Sequence, residues 1–250
     1  MEKADELANY LPVSFKTPKE QEYVAFLWGA FDANYQAEKY QFAFLAYHML
    51  TMSFVYFIIW QIRNNEPNDF EKATIGFGKV IEKDLTTADS PFAFSTVNER
   101  SILRFLKLIQ CDNGKIGTYA KLVDDRNDSA HSNGNIFYCD QRSLDIKITE
   151  ILRVVDEIQM HSKPVIEHCY ENFLIESHDE EEREYVDPAD QIRETLIHNH
   201  YLSQKDIEIC LGCDPALLMR RHGNGDAMVA INALHGQFQE QYGEENLTFG

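Results

Sequence analysis

Phe42-Ala43-Phe44-Leu45-Ala46-Tyr47-His48-Met49-Leu50-Thr51-Met52-Ser53-Phe54-Val55-Tyr56-Phe57-Ile58-Ile59-Trp60-Gln61-Ile62 is a run of twenty-one residues without a formal charge, flanked by Lys39 and Arg63. Its length suffices to cross a bilayer. It equally suits the central helix of a bundle, which is apolar all round because neighbours cover every side. His48, Thr51, Ser53, Gln61 and the two tyrosines, Tyr47 and Tyr56, weigh toward the second reading, and no second segment of this kind follows. The expectation is a buried core helix and no stable membrane insertion. Membrane anchoring through residues 42–62 is the competing reading.

On the N-terminal side of this run, Thr17-Pro18-Lys19-Glu20 is a capping box with proline at the first helical position, and Val24, Leu27, Trp28, Phe31 and Tyr35 follow on one stripe. A helix starts near residue 18. Residues 69–85 read as another, weakened by Gly76 and Gly78, and the stretch through Ser90-Pro91 reads as loop. Thr96-Val97-Asn98-Glu99 has the form of a second capping box, and its helix, with Ile102, Phe105, Leu106 and Ile109 apolar, should stop near Asn113-Gly114. Leu144, Ile148, Ile151, Val155 and Ile158 mark a long helix that Pro164 should kink. No stretch alternates with period two. The fold class is all-α.

Residues 176–190 hold eight acidic side chains against Arg183, which predicts an exposed connection over 179–190 between a helical bundle of residues 1–178 and a small helical segment of 191–250. In that segment Ile207, Leu211 and Leu218, with Gly212 at a turn and Pro215 opening the next helix, resemble a helix-turn-helix whose second helix carries Arg220, Arg221 and His222. A plain helical hairpin fits its charge better, since residues 190–250 carry nine acidic and four basic side chains. Cys210-Leu211-Gly212-Cys213 has half the spacing of a zinc site, with His198, His200 and His222 nearby but no second pair, so core thiols around a tight turn are expected and no metal. Five cysteines, an odd number, and an N-terminus opening with Glu2, Asp5 and Glu6 lead to the expectation of a reducing cytoplasm.

The chemistry-bearing string is Arg126-Asn127-Asp128-Ser129-Ala130-His131. Residues five apart on a helix sit about 140° apart around its axis, so Arg126 and His131 of one chain do not share a face. Asn127 and His131, four apart, do. Asp125 can cap the helix that carries them, and Asn133-Gly134 should end it.

The string resembles the signature of the HEPN superfamily of ribonucleases: arginine, a polar residue, three residues, then histidine. The resemblance covers roughly residues 18–175. It implies a HEPN-like helical bundle that pairs so that two motifs line one cleft. It also implies metal-independent endoribonuclease activity without a cofactor, with Arg126, Asn127 and His131 as catalytic residues. Toxin or antiviral defence effector is the role such resemblance suggests, with an antitoxin or defence-system protein as partner. Some relatives keep the fold as interaction domains. The alternative is therefore a non-catalytic helical interaction or regulatory protein whose helix-turn-helix-like part binds a partner.

A formal charge of −18 opposes a nucleic-acid partner, because phosphate binding needs local positive charge. Residues 99–126, however, hold six basic side chains against four acidic ones, and Arg100, Arg104 and Lys107 fall on one face of an α-helix, a candidate RNA-binding stripe. A salt bridge from Arg126 to Asp124 or Asp125 is the purely structural use of the same arginine. For catalysis, RNA brings its own nucleophile, the 2′-hydroxyl. An imidazole can move the proton, and a guanidinium fork can hold the phosphate oxygens.

Overall fold

The computed structural model describes residues 2–131, 134–222 and 227–243, with the side chains of residues 219–222 outside the description. A short α1 (Glu2–Asp5) continues as a 3-10 turn, Glu6–Tyr10. Then come α2 (Pro18–Gln36), α3 (Tyr40–Asn65), α4 (Pro67–Thr74) and α5 (Lys79–Thr86). A 3-10 segment, Pro91–Thr96, leads to α6 (Glu99–Ile102), which tightens into 3-10 geometry over Leu103–Ile109. The helices α7 (Asn113–Ala130) and α8 (Gln141–Ser177) follow, and α9 (Pro188–Gln191) runs into a π-helical stretch, Ile192–His198. The chain finishes with α10 (Gln204–Leu211), α11 (Pro215–His222) and α12 (Met228–Tyr242). Among the described residues there is no strand, only an isolated bridge between Pro12 and Ser203. The fold is all-α.

The uncharged run is the axis of the bundle. Every residue from 50 to 62 is buried, so α3 is enclosed on all sides over that length. Most of its polar groups are satisfied within the protein, His48 Nδ1 and Gln61 Oε1 being left without a partner: Thr51 and Ser53 donate to the carbonyls of Tyr47 and Met49, each at 2.9 Å, and Tyr47 donates to Ala4 O at 3.1 Å. Trp60 donates to Asn199 O at 2.8 Å. These bonds matter because an unpaired buried polar group costs about 1–3 kcal/mol. The capping box at Thr17 and Glu20 forms as the sequence leads one to expect. Glu20, only 5% exposed, also accepts from Ser90 and Tyr201.

Two apolar cores share α8. Leu144 to Val165 face the first, around α2, α3 and α7, while Ile166, Cys169, Tyr170, Phe173 and Leu174 face the second. There they meet Ile192, Leu196, Ile207, Ile231, Leu234 and Phe238. The packing boundary therefore crosses α8 instead of following its end. A buried carboxylate ties the parts together: Asp206 on α10 accepts from Gln61 of α3 at 2.9 Å, Gln159 of α8 at 2.6 Å, and the Ser203 amide and hydroxyl, each at 2.9 Å.

Several boundaries differ from those expected, each for a local reason. Residues 69–85 form two helices, α4 and α5, interrupted around Gly76 and Gly78. The stretch after Ser90 is a 3-10 helix with the Ser90 hydroxyl accepting from Phe92 N. Thr96 ends that helix, and Asn98, not Thr96, caps α6 by accepting from Ser101 N, so the second capping box does not form. The following helix stops at Ile109, where Gln110 takes a left-handed conformation (φ 64°), and Asn113-Gly114 opens α7 with Asp112 as its cap. Asp125 therefore lies mid-helix, where its carboxylate accepts from Lys147 at 2.9 Å. The helix α7 ends at Ala130, before the expected Asn133-Gly134 stop; Gly134 has φ +81°, and Asn133 is outside the described residues. As expected, α8 runs on past Pro164 to Cys169 and Phe173.

Candidate active site

Three helices converge on one carboxylate. Glu99, in the first turn of α6, is reached by His48 of α3 and Arg126 of α7. His48 Nε2 lies 3.1 Å from Glu99 Oε2, and Arg126 Nη2 lies 2.8 Å from Glu99 Oε1. His48 is 1% exposed, and its Nδ1 has no hydrogen-bond partner. The tautomer with the proton on Nε2 donates to Glu99 and leaves an unprotonated Nδ1 as the unpaired atom, which is cheaper than burying an unpaired N–H. Burial by itself raises the Glu99 carboxyl, but the hydrogen bonds of His48 and Arg126, with the Arg126 charge, outweigh it and hold it below the usual carboxylate range.

Glu99, Arg126 and Asn127 line a cavity of about 1030 Å³ together with Tyr23, Met49, Met52, Ser53, Tyr56, Phe92 and Asn98. Burial first, then the Glu99 carboxylate, pushes the Tyr56 phenol up, so it serves as a neutral hydroxyl. The walls combine aromatic faces with hydroxyl, amide and guanidinium groups, as ligand pockets do.

His131 stands apart. It is the C-cap of α7, exposed, with extended backbone (φ −84°, ψ 145°), and it is not among the cavity-lining residues. The hydrogen bond joining it to Asn127 runs between backbones, His131 N to Asn127 O at 3.1 Å. The shared face expected for the two side chains needs a helix unbroken to residue 131, and α7 stops one residue short. Gln41 braces this end by donating to Ser129 O at 2.8 Å and accepting from Phe137 N at 2.9 Å. Phe42, Met49, Ile136 and Phe137 leave apolar surface exposed in the neighbourhood.

The basic stripe is partly neutralised and differently arranged. Arg100 lines the main cavity but pairs with Asp124. Because residues 103–109 are 3-10, the α-helical spacing of Arg100, Arg104 and Lys107 does not hold. Arg104 and Lys107, three apart in a 3-10 helix, eclipse one another and line a neighbouring cavity of about 430 Å³ with Phe77 and Phe105. Asn98 lines both cavities. Arg126 pairs with neither Asp124 nor Asp125, which are taken up by Arg100 and Lys147.

Sequence reasoning missed Glu99, taken only as a capping residue, and His48, taken only as a polar position of the core helix. The faint signal was a histidine in an otherwise uncharged run that the bundle buries. In the second core Cys210 is buried and Cys213 half-buried, and among the described residues no three His, Cys, Asp or Glu side chains are grouped as metal ligands. The side chains of Arg220, Arg221 and His222 lie outside the described residues.

Glu99 also predicts a pH effect. A carboxyl held low in the fold contributes stability that is present above its unfolded pKa, about 4.3, and lost as pH falls through the folded value. Urea unfolding against pH should therefore show a shallower acid limb for Glu99→Gln than for the wild type. Parallel acid limbs would mean that the Glu99 pairings carry no linked stability.

Comparison with protein-family models, curated protein sequences and solved structures gave no match to this chain.

Proposed function

We propose that this chain is a metal-independent endoribonuclease of the HEPN type, with a composite site at a homodimer interface. One observation carries the reading: Arg126 and Asn127 face a cavity while His131 sits exposed at the end of the same helix. A second copy would supply the imidazole that one chain does not bring to its own arginine. The exposed Phe42, Met49, Ile136 and Phe137 support pairing on this side. Arg126, one-third exposed, keeps donors beyond the one given to Glu99 and offers them to phosphate oxygens.

In the proposed reaction the 2′-hydroxyl oxygen attacks phosphorus and the bond to the 5′-oxygen breaks. One His131 accepts the 2′-OH proton, and the other copy's His131 donates a proton to the leaving oxygen. Arg126 stabilises the extra negative charge on the phosphorane. The products are a 2′,3′-cyclic phosphate and a 5′-hydroxyl. A toxin or defence role, held in check by a partner protein, follows from the resemblance alone. The neutralisation of Arg126 by Glu99 favours the second reading, a non-catalytic interaction protein.

Subunit mixing separates the two. An excess of His131→Ala subunits exchanged into wild-type protein should lower activity beyond simple dilution, and pairing should persist at high salt because apolar burial drives it. A fully active monomer in solution would contradict the composite site.

A further inference from the structure

We infer that His48 is a positioning residue for Arg126, acting through Glu99. The inference rests on the ribonuclease reading above and assigns a role to a residue outside the motif. An imidazole enclosed at 1% exposure contributes less to an apolar core than leucine of similar size, and here one of its nitrogens is left unpaired. Its one polar contact is to Glu99 Oε2, while Glu99 Oε1 takes Arg126. The carboxylate torsion of glutamate is broad and roughly two-fold, so without a second partner Glu99 is free to turn both oxygens to the guanidinium. Paired in that way, Arg126 would give more of its donors to Glu99 and turn from the cavity. With Oε2 occupied by His48, Glu99 meets Arg126 through Oε1 and Nη2, and the far edge of the fork stays available. His48 is anchored on α3, the most enclosed helix of the bundle, so the setting of Arg126 is fixed from the core outward.

Steady-state RNA cleavage should be compared for wild type, His48→Leu, His48→Gln, Glu99→Ala and the His48→Leu/Glu99→Ala double variant. His48→Leu should lower kcat about 10- to 100-fold with KM nearly unchanged, the scale expected for a misaimed group. His48→Gln, whose amide can still donate to Glu99, should recover most of that loss. The double variant should be no slower than Glu99→Ala alone, since Glu99 is the polar link from His48 to Arg126. If the leucine protein does not fold, His48→Asn replaces it: the shorter amide falls short of Glu99 and must show the same loss in kcat. Losses that multiply in the double variant, or a folded His48→Leu protein with normal kcat, would overturn the inference while leaving the ribonuclease reading intact. A wild-type protein that cuts no RNA would remove both.

Discussion

An Arg126→Lys protein should keep its fold and lose RNA cleavage by about 100- to 1,000-fold, the scale of removing one preorganised donor to a developing negative charge. The fold should survive because an ammonium at position 126 can still pair with Glu99, which now receives a bond of 2.8 Å from one guanidinium nitrogen. What the substitution removes is the planar fork. Arginine can give one nitrogen to Glu99 and present others to a phosphate, whereas lysine has a single nitrogen for both tasks. Asn127→Ala, which removes no charge, should cost less. Turnover close to wild type from a folded Lys variant would make Arg126 a structural residue and leave the Glu99 pair as its whole purpose.

Asp206→Ala should be the most damaging substitution for stability, costing about 4 kcal/mol through several donors stranded at once. Gln61, Gln159 and the Ser203 amide and hydroxyl all point at this carboxylate from three different helices or their caps. Burial raises its pKa, while those same donors pull it down. Alanine removes the acceptor and leaves the donors enclosed where water does not reach. Against a total stability of about 5–15 kcal/mol, the loss should be plain in a urea titration as a lowered midpoint at unchanged slope. A change below about 1 kcal/mol would show that the site relaxes and that Asp206 does not join the two cores.

The all-α class was legible because α2 and α8 carry apolar residues at helical spacing and α3 holds an uncharged run too long for a strand, and the Thr17 box marks its helix start correctly. Boundaries at short elements were not, since the turn from α6 into 3-10 geometry and the left-handed Gln110 answer to tertiary packing that local sequence does not encode. The site was legible in part. Arg126 and Asn127 do face a cavity together, but the Glu99 link spans 27 positions along the chain and the His48 link 51, and helical spacing speaks only of residues three or four apart. The separation of His131 from Arg126 was expected from helix geometry. Its cause is partly different, because α7 ends before His131.

Metal-independent cleavage through His131 can be read from total RNA incubated in EDTA with wild type and with His131→Ala, followed by sequencing and chemical identification of the new ends. Wild type should cut RNA with the chelator present and leave 2′,3′-cyclic phosphate and 5′-hydroxyl ends, and His131→Ala should cut none. Wild-type activity that disappears in EDTA and returns with a divalent cation, or cleavage undiminished in His131→Ala, would contradict that mechanism.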